Sequence, residues 1–148
     1  MFENTWKKLL NSSDKLRSYR LFKNIFKFEK YLTHVVNAHD RINLTRFRIS
    51  CHKLHIETGR YTIPKTPIDD RVCKNCNFNA IEDEKHMLLF CSKYNFDRAE
   101  LIYKCYNKNI AYINDYNSKF IWLLSNEEES TCRNIAKFIS KCFLLRFK

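Results

Sequence analysis

A chain of 148 residues with one glycine and two prolines has few means of making tight hairpins, and this scarcity narrows its folds more than any other feature. Hairpin turns lean on glycine or asparagine at positive φ, and proline presets the corner of other turns. The glycine and both prolines fall together, at Gly59, Pro64 and Pro67. The prediction is a mainly α protein, a helical bundle with one extended connector, since each proline also pushes its predecessor out of the helical region. The length suits a single unit able to bury a core.

Just past the connector, residues 71–91 read RVCKNCNFNAIEDEKHMLLFC. Cys73 and Cys76 stand in C-x2-C spacing, His86 follows nine residues later and Cys91 after four more. Two thiolates from a tight turn, with a His and a Cys from a following short helix, complete a tetrahedral CCHC zinc site. Four protein ligands leave no open position for water, so a structural Zn2+ is expected. At about 100° per residue, five α-helical steps put His86 and Cys91 on different faces, so the helix should end just before Cys91. The competing explanation is buried structural thiols beside a surface histidine.

Cys51, Cys105, Cys132 and Cys142 have no disulfide-framework spacing, and the opening MFENTWKKLLNSSDK lacks the apolar stretch of a signal peptide. A reducing compartment, nucleus or cytoplasm, follows. No stretch approaches the roughly 20 apolar residues of a membrane span, so no membrane partner is expected.

The expected organisation is a basic helical part over 1–58, the connector and zinc module over 59–92, and C-terminal helices over 93–148. After a short helix at 2–10, a second is expected from Ser12 or Ser13 to about Asn37. Leu21, Ile25, Phe28, Leu32 and Val35 form its apolar face, with Tyr19, Phe22 and Phe26 beside them. Lys15, Arg17, Arg20, Lys23, Lys27 and Lys30 lie opposite. A third helix over 41–56 carries Arg41, Arg46, Arg48 and Lys53, with Gly59 as its left-handed stop. Arg60, Tyr61 and Lys65 follow in the connector, where Tyr61 either stacks on a nucleic acid strand or pins the connector to the helices. Later helices are expected at 93–107, with Tyr94, Leu101, Ile102, Cys105 and Tyr106 on one side, at 115–125, and from an Asn126–Glu129 capping box through Phe147.

The formal net charge is +11, and residues 15–60 alone supply +8. A block of that density points to a polyanion, most simply nucleic acid. Aromatics interleaved with the cations, namely Tyr19, Phe22, Phe47 and Tyr61, favour RNA or single-stranded DNA over duplex. The bland alternative is a solvated charged face.

Catalysis lacks support. A zinc deaminase carries a His-x-Glu ahead of a Pro-Cys-x-x-Cys, and no Pro-Cys-x-x-Cys occurs here. One glycine cannot build a phosphate-binding loop. Asp97, Glu100 and Lys104 are expected to pair on a helix surface rather than hold a catalytic metal. Cys51, His52 and His55, with His34 and His39, lack the partner pair of a second metal site.

Three runs together, RINLTRFRISCHKLHIETGRY, IDDRVCKNCNFNAIEDEKHMLLFC and the later KFIWLL, resemble the C-terminal region of non-LTR (LINE-type) retrotransposon reverse transcriptases, including their zinc-binding domain. The similarity is densest over about residues 40–98, in IETGRY, in Arg71 just ahead of the first cysteine pair, and in IEDEKHMLLFC. In that family the module follows the polymerase thumb and is implicated in binding template RNA or target DNA. The resemblance implies ligand roles for Cys73, Cys76, His86 and Cys91, a nucleic-acid-contacting role for the basic set through Arg71, and a stand-alone remnant or domesticated fragment. Retroviral zinc knuckles share the outer spacings but have a shorter middle spacer and glycines lacking here, so their mode of reading bases does not transfer. No YxDD polymerase motif occurs.

Two functions remain in competition. One is a zinc-stabilised nucleic-acid-binding module without enzymatic activity. The other is a structural or protein-interaction zinc domain that binds no nucleic acid.

Overall fold

The computed structural model describes residues 1–105 and 110–148. Its α-helices are Phe2–Ser12 (α1), Tyr19–Phe22 (α2), Tyr31–His34 (α3), Ala38–Arg48 (α4), His55–Thr58 (α5), Asn95–Cys105 (α6), Tyr116–Ser125 (α7) and Glu129–Leu145 (α8). Among the described residues there is no strand, only an isolated antiparallel bridge between Val72 and Ile81. The mainly helical class expected from the scarcity of turn residues is the class observed.

Helix α8 is the centre of the molecule, packing on α4, α6 and α3, while α2 lies on α7. Ile135, Phe138, Ile139 and Cys142 recur at three- and four-residue intervals along it and all are buried, which is the stripe a docked helix needs. One cluster of buried side chains includes Phe22, Phe47, Leu54, Leu88, Tyr94, Phe120 and Ile139. The segment between the connector and α6 is therefore part of the common core, not a finger hung from it. No helix of the described residues is long and apolar enough to cross a membrane.

Two expected helices are broken. The helix expected to reach Asn37 becomes a 3-10 turn at Asp14–Leu16, then α2, an irregular stretch and α3. Lys23 causes the interruption: it is buried, its ammonium reaches Glu29 at 3.0 Å and donates to Lys27 O at 2.7 Å, and the chain folds around it. Phe22, Tyr31 and Val35 are buried, whereas Leu21, Ile25, Phe26 and Phe28 are exposed. The helix expected over 41–56 is replaced by α4, a turn with Ser50 at φ 55°, and α5. That turn lets Leu54 and Ile56 enter the core from a second direction. Asn126 caps Glu128 N at 2.9 Å, and α8 starts at Glu129, slightly later than the capping-box spacing suggests. Tyr94 and Leu101 are buried and Ile102 packs against the core; Tyr106 lies outside the described residues.

Gly59 is not a left-handed stop, because its φ is −63°. Its role is close approach. A Cβ there would lie 2.8 to 2.9 Å from Cγ, Cδ and Nε of Arg71. Arg71 cannot swing aside: it is fully buried, donating from Nη1 to Ile56 O at 2.8 Å and from Nε to Thr66 O at 3.0 Å. The connector has no helix before Ile68, and Thr66 N donates to Gly59 O at 3.0 Å, drawing its two ends together around this guanidinium. Gly59→Ala is expected to cost about 2 kcal/mol net of the unfolded-state gain that alanine brings. Urea unfolding measures it, and a neutral or stabilising alanine contradicts the close-approach account.

Candidate metal centre

Residues 71–82 form a small knuckle. Cys73 N donates to Ala80 O at 2.8 Å and Glu82 N to Arg71 O at 2.9 Å, either side of the Val72–Ile81 bridge. Asn79 adopts φ 49°, a conformation asparagine tolerates better than most residues and one this glycine-poor chain must fill by other means. Asn75 N donates to Cys73 Sγ at 3.4 Å, fixing the thiol within the turn that also carries Cys76.

The remaining two candidate ligands are His86, at the start of the turn His86–Phe90, and Cys91, just past it; the turn winds π-helically and ends where the spacing demands. Cys91 N donates to His86 O at 2.8 Å, an i→i+5 bond. Five α-helical steps would sweep about 1.4 turns, but a turn closed at i→i+5 brings residue 91 back over residue 86. The H-x4-C spacing and the unusual winding are one solution to one problem. Asp83 caps the start, accepting from His86 N at 2.7 Å. Arg98 caps the end, donating to the carbonyls of Leu88 at 2.9 Å, Met87 at 3.2 Å and Cys91 at 2.8 Å.

The four ligand atoms all lie within 4.8 Å of one another. Cys73 Sγ and Cys91 Sγ are 3.8 Å apart, and Cys76 Sγ and His86 Nε2 are 3.3 Å apart. Metal–sulfur bonds of about 2.3 Å in a tetrahedron give sulfur–sulfur edges of about 3.8 Å, whereas a disulfide needs about 2.05 Å. The residues thus form a Cys3His group that can hold a metal ion. Burial pushes the Cys73 thiol up to about 12, raises Cys91 and lowers His86. In such a pocket thiolates persist only beside a cation, and a neutral imidazole suits ligation. Among the described residues no second group of this kind exists. His52 Nε2 is committed to Glu84 at 2.8 Å, and His55 Nδ1 lies 3.0 Å from Val72 O.

The acidic triplet just ahead of His86 binds the rest of the chain to this centre. Glu84, completely buried, takes two bonds from Arg17 Nη2 at 2.9 and 3.0 Å, and one each from Ser18 Oγ at 2.9 Å and Ser50 Oγ at 2.6 Å, besides His52. Glu82 receives Arg146 bidentately at 2.9 and 2.7 Å, together with His55 N at 2.7 Å and Asn75 Nδ2 at 3.1 Å. One carboxylate holds the N-terminal part and the other the end of α8.

This arrangement engages much of the expected nucleic-acid-contacting set in internal contacts. Lys23, Arg48 and Arg71 are buried and cannot meet phosphate. Arg48 pairs with Glu29 at 2.9 Å, bonds Leu124 O and lies over the rings of Phe22 and Tyr31 at 4.6 and 4.7 Å. Arg17 pairs with Glu57 and Glu84. Arg60 pairs with Glu57 at 3.2 Å. Arg20 and Arg41 donate to nearby backbone carbonyls, and Lys27 and Lys30 share Glu127 at 2.5 and 3.3 Å. Exposed and without a carboxylate partner among the described residues are Lys15, Arg46, Lys53 and Lys65. Of the interleaved aromatics, Phe22 and Phe47 are buried and Tyr19 gives its hydroxyl to Glu29 at 2.7 Å. Tyr61 alone stays largely exposed, so it does not pin the connector. The expected surface pairing holds for Glu100 with Lys104 at 2.5 Å, whereas Asp97 is buried and pairs instead with Lys141 of α8.

Glu82, Glu84 and Arg98 escape a reading based on ligand spacing. The one signal available for the two glutamates was acid density beside a ligand in an otherwise basic chain; nothing local marks Arg98. No family model, curated protein or solved structure matches the chain.

Proposed function

We propose that this chain is a zinc-stabilised nucleic-acid-binding module of the kind found in the C-terminal region of non-LTR reverse transcriptases, without catalysis of its own. It takes RNA or single-stranded DNA in preference to duplex and works in the nucleus or cytoplasm, where its thiols stay reduced. Three thiolates and an imidazole are a donor set that selects zinc among the common divalent ions. The observation that carries binding is the charge balance: the buried acids are consumed by internal partners, and the formal +11, about +10 once zinc and three thiolates are counted, is a surplus that no carboxylate of this chain can match. A polyanion is the partner that such a surplus attracts.

Metal analysis of the purified protein is expected to give one zinc per chain. In filter binding, the same sample should retain single-stranded RNA at about 50 mM salt, with a log–log salt slope of about −3, as four phosphate contacts predict. Loss of all RNA and DNA retention at that salt, in folded zinc-loaded protein, overturns this function. That result would favour the second reading, a structural or protein-interaction zinc domain. The observation supporting that alternative is the exposed apolar group Leu21, Ile25, Phe26, Phe28 and Val36.

A further inference from the structure

We propose that one nucleic acid strand lies in the groove between α4, the 50–61 segment and the C-terminal end of α8, its phosphates on Lys15, Arg46, Lys53 and Lys148 and a base on Tyr61. This inference rests on the nucleic-acid-binding reading and moves the contact surface away from the basic run at 23–30.

The groove has a volume of about 1080 Å³. Those four cations line it, and none has a carboxylate partner among the described residues. Its other two cations, Lys141 and Arg146, are occupied by Asp97 and Glu82. The only acidic residue among the described residues lining it, Glu57, pairs with Arg17 and Arg60. The lining charges left without a partner are therefore positive, the pattern that draws in a polyanion.

The walls are also fixed. Ser50 and His52 are tied to Glu84, and Arg146 to Glu82, so both sides are anchored to the segment leading into His86. Phe147 is held between Lys53 and Arg146, each 5.5 Å from its ring centroid. Tyr61 stands at the groove 70% exposed, an aromatic face free to take a base. Stacking of this kind needs an unpaired base, which a duplex does not offer. The 23–30 run lacks these properties, since Lys23 is buried and Lys27 and Lys30 share one glutamate.

The test compares two double substitutions of equal charge change in the zinc-loaded full chain, with helical circular dichroism and zinc content checked first. The probe is a fluorescein-labelled oligouridylate of about 12 nucleotides in about 0.1 M salt. Lys15→Gln/Arg46→Gln is expected to weaken binding at least tenfold and to reduce the salt slope by about 1.4. Lys27→Gln/Lys30→Gln should weaken it less than threefold. Tyr61→Ala should weaken oligouridylate about fivefold or more, yet leave an abasic strand of the same length unaffected.

Equal losses from the two doubles overturn the groove while leaving nucleic acid binding intact. Absence of binding by the unsubstituted protein overturns the underlying function instead. A blunt duplex or a polyglutamate chain bound as tightly as the oligouridylate overturns the single-strand assignment. A Tyr61→Ala variant that weakens abasic and normal strands alike, or neither, overturns the stacking contact.

Discussion

Removing the metal, by chelation or by Cys91→Ser, is expected to unfold the chain rather than to leave a folded protein with an idle site. Cys91 is completely buried, and the segment between it and His86 places Met87 and Leu88 in the common core. Without an ion, buried Cys73, His86 and Cys91 and half-buried Cys76 are left as four polar groups with no common partner, two of them bracketing the π-helical turn. Structural zinc sites contribute on the order of 10 kcal/mol to folding, comparable with the whole stability of a domain this size. Chelated protein should lose its cooperative thermal transition and regain it when zinc is added back, as followed by circular dichroism. A melting temperature within a few degrees of the untreated value would show that the helices stand without the centre.

Glu84→Gln is expected to be the most damaging substitution outside the ligands, at about 3 kcal/mol. The amide keeps the shape but loses the charge that Arg17 and His52 face, and breaking one partner of a buried ionic network is costly. The effect carries a pH signature. Burial alone would raise the Glu84 pKa, but the hydrogen bond and charge of His52, the charge of Arg17 and the Ser50 hydroxyl outweigh it and hold the carboxyl at about 2. An unfolded glutamate titrates near 4.3. The stabilisation is therefore fully present above about pH 4.5 and is lost as pH falls toward 2, a span worth on the order of 3 kcal/mol. Urea unfolding of both zinc-loaded proteins at pH 7, above the range in which protons displace zinc from its thiolates, measures the gap. A gap under about 1 kcal/mol there would mean that the carboxylate's charge does not matter.

The Cys3His group was legible because its logic is local: Cys73, Cys76, His86 and Cys91 lie within 19 residues, and coordination geometry constrains their spacing. The helical class was legible because glycine and proline are almost lacking. The break after Phe22 was not, because its cause is remote. Arg48 and Lys23 share Glu29 inside the protein, and an apolar periodicity that fits a helix gives no warning of it. The internal use of the cations was hidden for the same reason: Arg17 and Arg48 of the basic block, and Arg71 beyond it, face Glu84, Glu29 and the carbonyl of Ile56. Gly59 and Arg71, prominent in the motif resemblance as two separate marks, turn out to be two sides of one contact.

The two carboxylate clamps carry a kinetic implication. Arg17 reaches Glu84 across 67 positions and Arg146 reaches Glu82 across 64, whereas Cys73 and Cys91 are only 18 apart. Closing a long loop is entropically slower than closing a short one. The knuckle is therefore expected to close before the two termini dock onto it, and refolding speed should track metal availability more closely than helix propensity.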